Sequence, residues 1–237
     1  MILAIVAVLS ILAGGAAAVS CEDITHLGTE FTVCEVNPAE TPIRLFLNDA
    51  DGRPYGSFEA VERDRGPLAM AMNGGMYHPD RSPVGHYVED GEEQMRVIPN
   101  AGPGNFGMLP NGVFCIGADA ARVWETSEYL ADRPACLYAT QSGPMLVIDG
   151  ALHPRFVEGS DSRFIRNGVG TSADGRRVVF AISDEPVNFH DFATLFRDRI
   201  GVPDALYFDG KVSRLYAPSF GRSDGGFAMG PIVGVLE

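Results

Sequence analysis

The chain has 237 residues, a formal net charge of −13 and a pI near 4.7, and 46% of its residues are hydrophobic. A chain of this length can bury one sizeable core or two closely joined lobes. The acidic balance argues against nucleic acid and anionic membrane surfaces as partners, because no basic stripe is present to neutralise phosphates.

The first twenty residues have the pattern of a secretory signal. Residues 1–12 are almost wholly apolar, small residues follow, and the sequence turns polar at Cys21, although no Lys or Arg occurs among the first ten residues. About a dozen apolar residues are too few for a membrane span of roughly 20. We therefore predict a signal peptide over residues 1–20 and an exported protein, periplasmic or secreted. Residues 21–237 are predicted to form the mature domain, without a transmembrane span.

Four cysteines remain after this segment: Cys21, Cys34, Cys115 and Cys136. An even number in an exported chain predicts two disulfides, and three pairings can be drawn. Proximity along the chain favours Cys21–Cys34 and Cys115–Cys136. Cleavage after Ser20 would instead leave Cys21 as a lipid-bearing N-terminus, an alternative that conflicts with the first of these bonds.

Short runs rich in β-branched and aromatic residues alternate with Pro and Gly, which predicts many strands joined by tight turns. The predicted strands are residues 43–48, 68–72, 84–88, 94–98, 112–116, 137–140, 145–148, 164–171, 177–182, 205–208, 213–216 and 232–236. One helix is predicted from Ser57 to just before Gly66, and another from an Asn188 cap to Gly201. The chain is thus predicted to be an α+β domain with strand-rich, mixed or antiparallel sheets packed on few helices.

Three of the apolar runs end in polar or glycine residues without a spacer. Such ends place amide groups, carboxylates and exposed backbone N–H groups where a ligand can approach closely. Each is also an ordinary turn sequence. The recurrence favours one shared site at the strand ends, and the segments are Asn73-Gly74-Gly75, Gln141-Ser142-Gly143 and Asp209-Gly210.

Arginines cluster at Arg155, Arg163 and Arg166, with Asn167 beside the last. In an acidic protein this is a candidate pocket for one small anion, because the guanidinium binds phosphate through a planar fork. The alternative is a set of solvated surface ion pairs of little energetic worth. We favour the surface alternative for Arg155 and the anion site for Arg166.

Five segments, in order along the chain, resemble the motifs of the phosphodiester glycosidase domain, which occurs in the lysosomal-targeting uncovering enzyme and in exported bacterial proteins. They are Asn-Gly-Gly-Met-Tyr at 73–77, Asn-Phe-Gly at 105–107 with Asn-Gly at 111–112, Gln-Ser-Gly-Pro-Met-Leu-Val at 141–147 with Asp-Gly at 149–150, Arg-Asn-Gly-Val-Gly at 166–170, and Ala-Leu-Tyr-Phe-Asp-Gly-Lys-Val-Ser at 205–213. Each motif is weak alone, but five in this order are jointly specific. The departure is Lys211-Val212, where most members have glycines.

The resemblance implies hydrolysis of a sugar-1-phosphodiester, in the manner of an N-acetylglucosamine-1-phosphodiester alpha-N-acetylglucosaminidase, with the sugar left open. A phosphomonoester is a good leaving group, so one carboxylate and a phosphate cradle suffice. Asp209 is the expected catalytic carboxylate and Arg166 the phosphate binder. The alternative is a non-catalytic periplasmic protein of the same fold that binds a glycan or phosphate, which the departure at Lys211-Val212 favours.

The expected partner is a small sugar phosphate or glycan phosphodiester, held by residues around Asp209 and Arg166. The sequence requires no cofactor, although oxygens of Asn73 and Asp209 suit Ca²⁺ or Mg²⁺. His78 and His86 are second-rank site residues because they lie near the Asn73 segment. The expected substrate-binding residues are Asn73, Gly74, Gly75, Tyr77, Gln141, Ser142, Gly143, Asn167, Gly210 and Ser213.

Overall fold

The structure is a computed structural model that describes residues 19–209 and 212–237. Most of the predicted signal peptide, and the predicted site residue Gly210 with its neighbour Lys211, lie outside the described residues. Within the described ranges, no helix is both long and apolar enough to cross a bilayer.

Seventeen strands and three α-helices make up the regular structure of the described chain. The strands are β1 (Ser20–His26), β2 (Thr29–Val36), β3 (Arg44–Phe46), β4 (Leu68–Asn73), β5 (Tyr87–Glu89), β6 (Glu92–Met95), β7 (Gly112–Ile116), β8 (Ala121–Glu125), β9 (Tyr138–Ser142), β10 (Met145–Ile148), β11 (Ala151–Leu152), β12 (Asn167–Thr171), β13 (Val178–Ser183), β14 (Asp204–Tyr207), β15 (Leu215–Ala217), β16 (Arg222–Ser223) and β17 (Ile232–Leu236). The helices are α1 (Phe58–Arg65), α2 (Thr126–Asp132) and α3 (Phe189–Thr194), the last continuing as a π-helical segment, Leu195–Ile200.

Both predicted helices are confirmed, together with the residues that begin and end them. The Ser57 hydroxyl accepts a hydrogen bond from the Ala60 N–H at the start of α1, and Asn188 accepts one from the Asp191 N–H at the start of α3. These bonds satisfy donors that have no partner inside a helix. The π-helical segment ends at Gly201, whose φ of +75° favours glycine.

The strands form three sheets in which every pairing between described strands is antiparallel, so the α+β fold class is confirmed. The seven-stranded sheet has the order β1-β2-β13-β12-β14-β10-β11, and two five-stranded sheets have the orders β16-β15-β4-β17-β3 and β6-β5-β9-β7-β8. Every predicted strand overlaps an observed one. The β1–β2 hairpin, β8, β11, β16 and α2 were not predicted.

Both predicted disulfides are present. Cys21 faces Cys34 across the β1–β2 hairpin, and Cys115 of β7 is joined to Cys136. The sulfur of Cys21 is therefore engaged in a disulfide rather than in the lipid linkage that was the alternative. The hairpin itself turns at Leu27-Gly28, where both residues have positive φ.

The main core lies where the three sheets face one another. Phe114 of β7 packs edge-on against Phe180 of β13, and Met72 of β4 belongs to the same buried cluster. Phe192 and Phe196, on α3 and its π-helical continuation, cover the other face of the seven-stranded sheet. Burying each such side chain contributes roughly 1.5–3 kcal/mol. Together these contacts fix the relative positions of the strand ends that carry the predicted site.

Candidate active site

The ends of strands from two sheets meet at one place. Gly168 lies opposite Tyr207 in the antiparallel pair β12–β14, so the start of β12 lies beside the end of β14, immediately before Asp209. Asn73 ends β4 in a different sheet, and its Oδ1 accepts hydrogen bonds from the Asn167 side-chain amide and from the Arg214 N–H (3.0 Å). The Asn73 and Asp209 segments, far apart in sequence, are thereby brought together.

Two side chains hold the main chain of Asp209, and a third holds the residue before it. The Asn167 Oδ1 accepts from the Asp209 N–H (3.2 Å), and the Ser213 hydroxyl donates to the Asp209 carbonyl (2.7 Å). The Ser142 hydroxyl donates to the carbonyl of the preceding residue, Phe208 (2.6 Å). Asn167, Ser142 and Ser213, predicted to bind substrate, therefore use these polar atoms to position Asp209.

Asp209 borders a cavity of about 480 Å³, which we name the Asp209 cavity. Tyr77 also lines it, and the pKa of Tyr77 is raised by burial and by the negative charge of Asp209. The Tyr77 hydroxyl donates to the Ala228 carbonyl (3.1 Å), which orients the ring. The full lining consists of Met76, Tyr77, His78, Val84, Pro103, Gly104, Asn105, Phe106, Phe164, Tyr207 and Asp209.

Arg166 is 1% exposed, and among the described residues it forms no ion pair with a carboxylate. Its Nε donates to the Val187 carbonyl (2.8 Å) and its Nη2 to the Ser162 carbonyl (3.0 Å). The guanidinium carbon lies 3.5 Å from the centre of the Phe189 ring. Burial lowers the pKa of Arg166, and its Nη1 has no hydrogen-bond partner among the described residues.

Tyr207 presents a second buried donor next to Arg166. Its ring centre lies 5.5 Å from the guanidinium carbon, and its hydroxyl is buried without a partner in hydrogen-bond geometry among the described residues. The side chains of Arg166 and Asn105 approach that hydroxyl, and burial raises the pKa of Tyr207 above its usual range. The phenol therefore stays protonated. Tyr207 lines the Asp209 cavity, whereas Arg166 does not line it and reaches the site through its contact with Tyr207.

Gly74 and Gly75 lie next to Asn73 and pack closely against neighbouring residues. The Gly74 N–H donates to the Pro231 carbonyl (2.7 Å), so it is already engaged within the protein. A Cβ on Gly75 would lie 2.6 Å from the hydroxyl oxygen of Thr140, and the φ of Gly75 is +153°. That close approach explains why a side chain is absent at the end of β4.

Gln141 and His86 lie in a buried polar network and do not line the Asp209 cavity. The Gln141 Oε1 accepts from the N–H groups of His86 (3.1 Å) and Ile98 (2.9 Å), and its Nε2 donates to the Ile98 carbonyl (2.8 Å). His86 contacts the Met95 carbonyl through Nδ1 and the Tyr129 hydroxyl through Nε2, both at 2.9 Å. These side chains connect loops to the sheet that contains β9.

Gly143 lies against a neighbouring loop rather than in the Asp209 cavity. A Cβ there would approach Asn111 to 2.7 Å and the Phe106 carbonyl to 3.1 Å. His78 is exposed and lines the Asp209 cavity, whereas Arg155 is exposed and forms no ion pair with any described residue. The surface ion pair favoured for Arg155 is therefore not found in the described chain.

Eight cavity-lining residues were not singled out as site residues from the sequence, among them Asn105, Phe106, Phe164 and Tyr207. Asn105 and Phe106 lie within one of the quoted motifs, which was the available signal. Tyr207 lies within another quoted motif but was assigned to a buried strand, because a strand pattern does not reveal which buried polar atom lacks a partner.

Asn73, one of the two residues whose oxygens were suggested for Ca²⁺ or Mg²⁺, already uses its side-chain oxygen in hydrogen bonds within the protein. Asn73 Oδ1 accepts two hydrogen bonds, one from a side chain and one from the main chain. No group of three or more His, Cys, Asp or Glu side chains within 19–209 and 212–237 is arranged to hold a metal ion.

Known proteins are similar to this chain in sequence or in fold. The family model described as phosphodiester glycosidase matches residues 67–225. The uncharacterized protein YigE of Escherichia coli (strain K12) is 34% identical over 184 residues, which cover 76% of this chain and 72% of YigE.

Two solved structures are similar in fold. The catalytic domain of zebrafish N-acetylglucosamine-1-phosphodiester alpha-N-acetylglucosaminidase, auto-inhibited by its pro-peptide, has a TM-score of 0.65 and 14% identity, covering 94% of this chain and 85% of its own. A hypothetical protein from Synechocystis has a TM-score of 0.61 and 13% identity, covering 91% of this chain and 61% of its own. At these identities the two structures establish a common fold.

Proposed function

Because the chain belongs to the phosphodiester glycosidase family, we propose that it hydrolyses a sugar-1-phosphodiester. Water replaces the phosphate at the anomeric carbon, the C1–O bond breaks, and the products are the free sugar and a phosphomonoester. The leaving phosphate carries little basicity, so the reaction depends less on a strong general acid than ordinary glycoside hydrolysis does.

One observation supports the proposal that Arg166 and Tyr207 bind the phosphate of the substrate. Arg166 is buried without a carboxylate partner among the described residues, and its Nη1 lacks an acceptor next to the equally unsatisfied hydroxyl of Tyr207. A buried guanidinium without a counterion is costly unless an anion completes its hydrogen bonds. A phosphate oxygen accepts from both donors at once, and an arginine binds phosphate more strongly than a neutral donor does.

Asp209 supplies the carboxylate of the reaction. It borders a cavity large enough for a sugar, and its main chain is fixed by Asn167 and Ser213. Such fixation holds a reacting group in place without using substrate binding energy. The carboxylate acts on the anomeric carbon as nucleophile, as the base for water, or as the stabiliser of the oxocarbenium-like charge.

Tyr77 lines the same cavity as Asp209 and offers an aromatic ring to the sugar. The side chain is partly buried, and Arg81 packs over its ring at 5.1 Å. An aromatic ring anchored through its hydroxyl presents a rigid apolar surface at low entropic cost. Tyr77 thus orients the sugar while Arg166 and Tyr207 hold the phosphate.

The site operates outside the cytoplasm in this proposal. Two disulfides support export, since such bonds persist in oxidising compartments and are rare in reducing ones. The apolar segment at residues 1–12 is consistent with a secretory signal.

The test is hydrolysis of methyl phosphodiesters of glucose, galactose and N-acetylglucosamine by the full chain in oxygen-labelled water. Release of free sugar carrying the label identifies C1–O cleavage and supports the proposal. Label in methyl phosphate would instead identify a phosphodiesterase that attacks phosphorus. Tight binding without turnover of any of the three would favour the non-catalytic alternative.

A further inference from the structure

A second cavity adjoins the Asp209 cavity, and we name it the side cavity. Its volume is about 170 Å³, and Asn105 is the residue that lines both cavities. Its lining includes Asn105, Arg155, Phe156, Ser162, Phe189 and His190. The proposed function above leaves this space unused.

Arg166 connects the two cavities. Its Nη2 donates to the carbonyl of Ser162, and its guanidinium stacks on Phe189, and both of these residues line the side cavity. The same guanidinium carbon lies 5.5 Å from the ring centres of Phe164 and Tyr207, which line the Asp209 cavity. A phosphate held by Arg166 would therefore lie at the junction, with one ester branch directed toward each cavity.

The junction between the two cavities is closed in the structure. Arg166 Nη1 and the Tyr207 hydroxyl are shielded from solvent, and the Asn105 side chain approaches that hydroxyl. Asn105 lies in a loop that contains Gly102, Gly104 and Gly107, with Gly104 at a φ of +67°. Glycine-rich backbone of this kind rearranges readily. Displacement of the Asn105 side chain by a phosphate opens both donors and joins the cavities.

The charge of the side cavity is unlike that of the chain as a whole. Arg155 lines it and none of its lining residues is Asp or Glu, in a chain of net charge −13, although the ring of the lining residue His190 lies 3.4 Å from the Asp191 carboxylate. Arg155 has no ion-pair partner among the described residues. Apolar walls come from Phe156, stacked 5.0 Å from Phe189, and from Val157, which is 66% exposed.

We propose that the side cavity binds the group on the far side of the phosphate, and that it selects a short acidic aglycone whose carboxylate pairs with Arg155. This rests on the proposed function, because the phosphate must occupy the junction. At about 30 Å³ per water, the Asp209 cavity of about 480 Å³ holds about sixteen water-sized groups and the side cavity of about 170 Å³ about six. A hexose fits the first space, and a three-carbon acid fits the second.

The test measures binding of phosphomonoesters, since the proposed product keeps both the phosphate and the aglycone and requires no turnover. Inorganic phosphate, glycerol 3-phosphate and 3-phosphoglycerate are titrated into the full chain by calorimetry. We expect 3-phosphoglycerate to bind about tenfold more tightly than glycerol 3-phosphate, because a partly enclosed ion pair adds charge-assisted hydrogen bonds.

Two variants test whether the preference for 3-phosphoglycerate over glycerol 3-phosphate arises in the side cavity. Arg155→Ala should make the two esters bind equally. Arg163→Ala, the matched control, removes an arginine of the same stretch that pairs instead with Asp191 and donates to the Pro186 carbonyl. It should keep the preference for 3-phosphoglycerate.

The outcomes separate this inference from the function on which it rests. Equal affinities in the unmodified chain, or a preference that survives Arg155→Ala, overturn the side-cavity assignment. If methyl sugar phosphodiesters are nevertheless hydrolysed, the proposed function stands without it. If neither phosphate binding nor hydrolysis occurs, both proposals are overturned.

Discussion

The side-chain amide of Asn167 donates to the side-chain oxygen of Asn73, and this bond joins the seven-stranded sheet to the sheet containing β4. Both residues are fully buried. Asn167 also accepts from the Asp209 N–H, so the same side chain links the sheet junction to the proposed catalytic carboxylate. Fold stability and the position of Asp209 are therefore coupled through one amide.

Asn167→Ala should lower both stability and activity. The substitution removes the acceptor of the Asp209 N–H, which costs about 1–3 kcal/mol, and leaves Asn73 Oδ1 with the Arg214 N–H as its remaining donor. Urea unfolding measures the loss. Asn100→Ala, at an exposed asparagine, is the control and should change stability by less than about 0.5 kcal/mol. Equal midpoints for the two variants would contradict the linking role of Asn167.

Asp209→Asn should reduce kcat by about 10²- to 10⁴-fold, because the amide cannot serve as nucleophile or base. The substitution keeps the size of the side chain, and the hydrogen bonds to the main chain of Asp209 remain. Thermal unfolding should therefore shift little. Asp161→Asn, at an exposed position outside the Asp209 cavity, is the control. Identical rates for wild type and Asp209→Asn would remove Asp209 from the mechanism.

Tyr207→Phe should weaken phosphate binding about tenfold while leaving the free energy of unfolding unchanged or slightly increased. The hydroxyl it removes is buried without a hydrogen-bond partner among the described residues, so its loss costs the fold little. Calorimetry with inorganic phosphate and urea unfolding provide the two readouts.

Tyr87→Phe is the matched control for Tyr207→Phe. Tyr87 is equally buried, but its hydroxyl donates to Glu89 (2.8 Å). Its removal should lower stability by about 1 kcal/mol and leave phosphate affinity unchanged. The opposite pattern, stability lost at Tyr207 and affinity lost at Tyr87, would show that Tyr207 is structural. Arg166→Ala is a less specific probe, because it also removes the donors to the Val187 and Ser162 carbonyls.

Reduction of the Cys115–Cys136 bond should destabilise the fold. The bond closes a loop with a sequence separation of 21, and constraining such a loop in the unfolded chain is worth about 3 kcal/mol. The Cys115→Ser/Cys136→Ser double variant, compared with wild type by urea unfolding without reductant, measures this. A thiol reagent should label the unfolded wild type only after reduction. Labelling before reduction would contradict the pairing.

Acidification should destabilise the fold through His86. Burial lowers the pKa of His86 below its usual 6.5, so the unfolded chain binds this proton more readily than the folded chain. The contribution of His86 to the free energy of unfolding is complete above the pKa that His86 has in the unfolded chain. It is lost as the pH falls through the lower pKa that His86 has in the folded chain. The fall in unfolding free energy between about pH 7.5 and pH 5 should be smaller in His86→Gln than in wild type. The exposed His78→Gln variant should keep the wild-type dependence.

Local chemistry determined much of the fold. The caps at Ser57 and Asn188 and the glycine at 201 act within a few residues, so the sequence alone located both long helices. Apolar runs between turn residues located all twelve of the predicted strands. The β1–β2 hairpin escaped prediction because β1 exposes most of its side chains and lacks a clear apolar face.

Tertiary structure decided which polar residues are available to a ligand. Gln141 and Ser142 follow a predicted strand just as Asp209 does, yet in the structure they lie within β9, and their polar atoms are satisfied by loops and carbonyls that lie far away in sequence. A sequence pattern cannot show which hydrogen bonds a buried group makes, since the partners are set by how sheets pack. Only the folded chain therefore distinguishes Arg166 Nη1 and the Tyr207 hydroxyl, which lack acceptors among the described residues, from the satisfied polar atoms of Gln141 and Ser142.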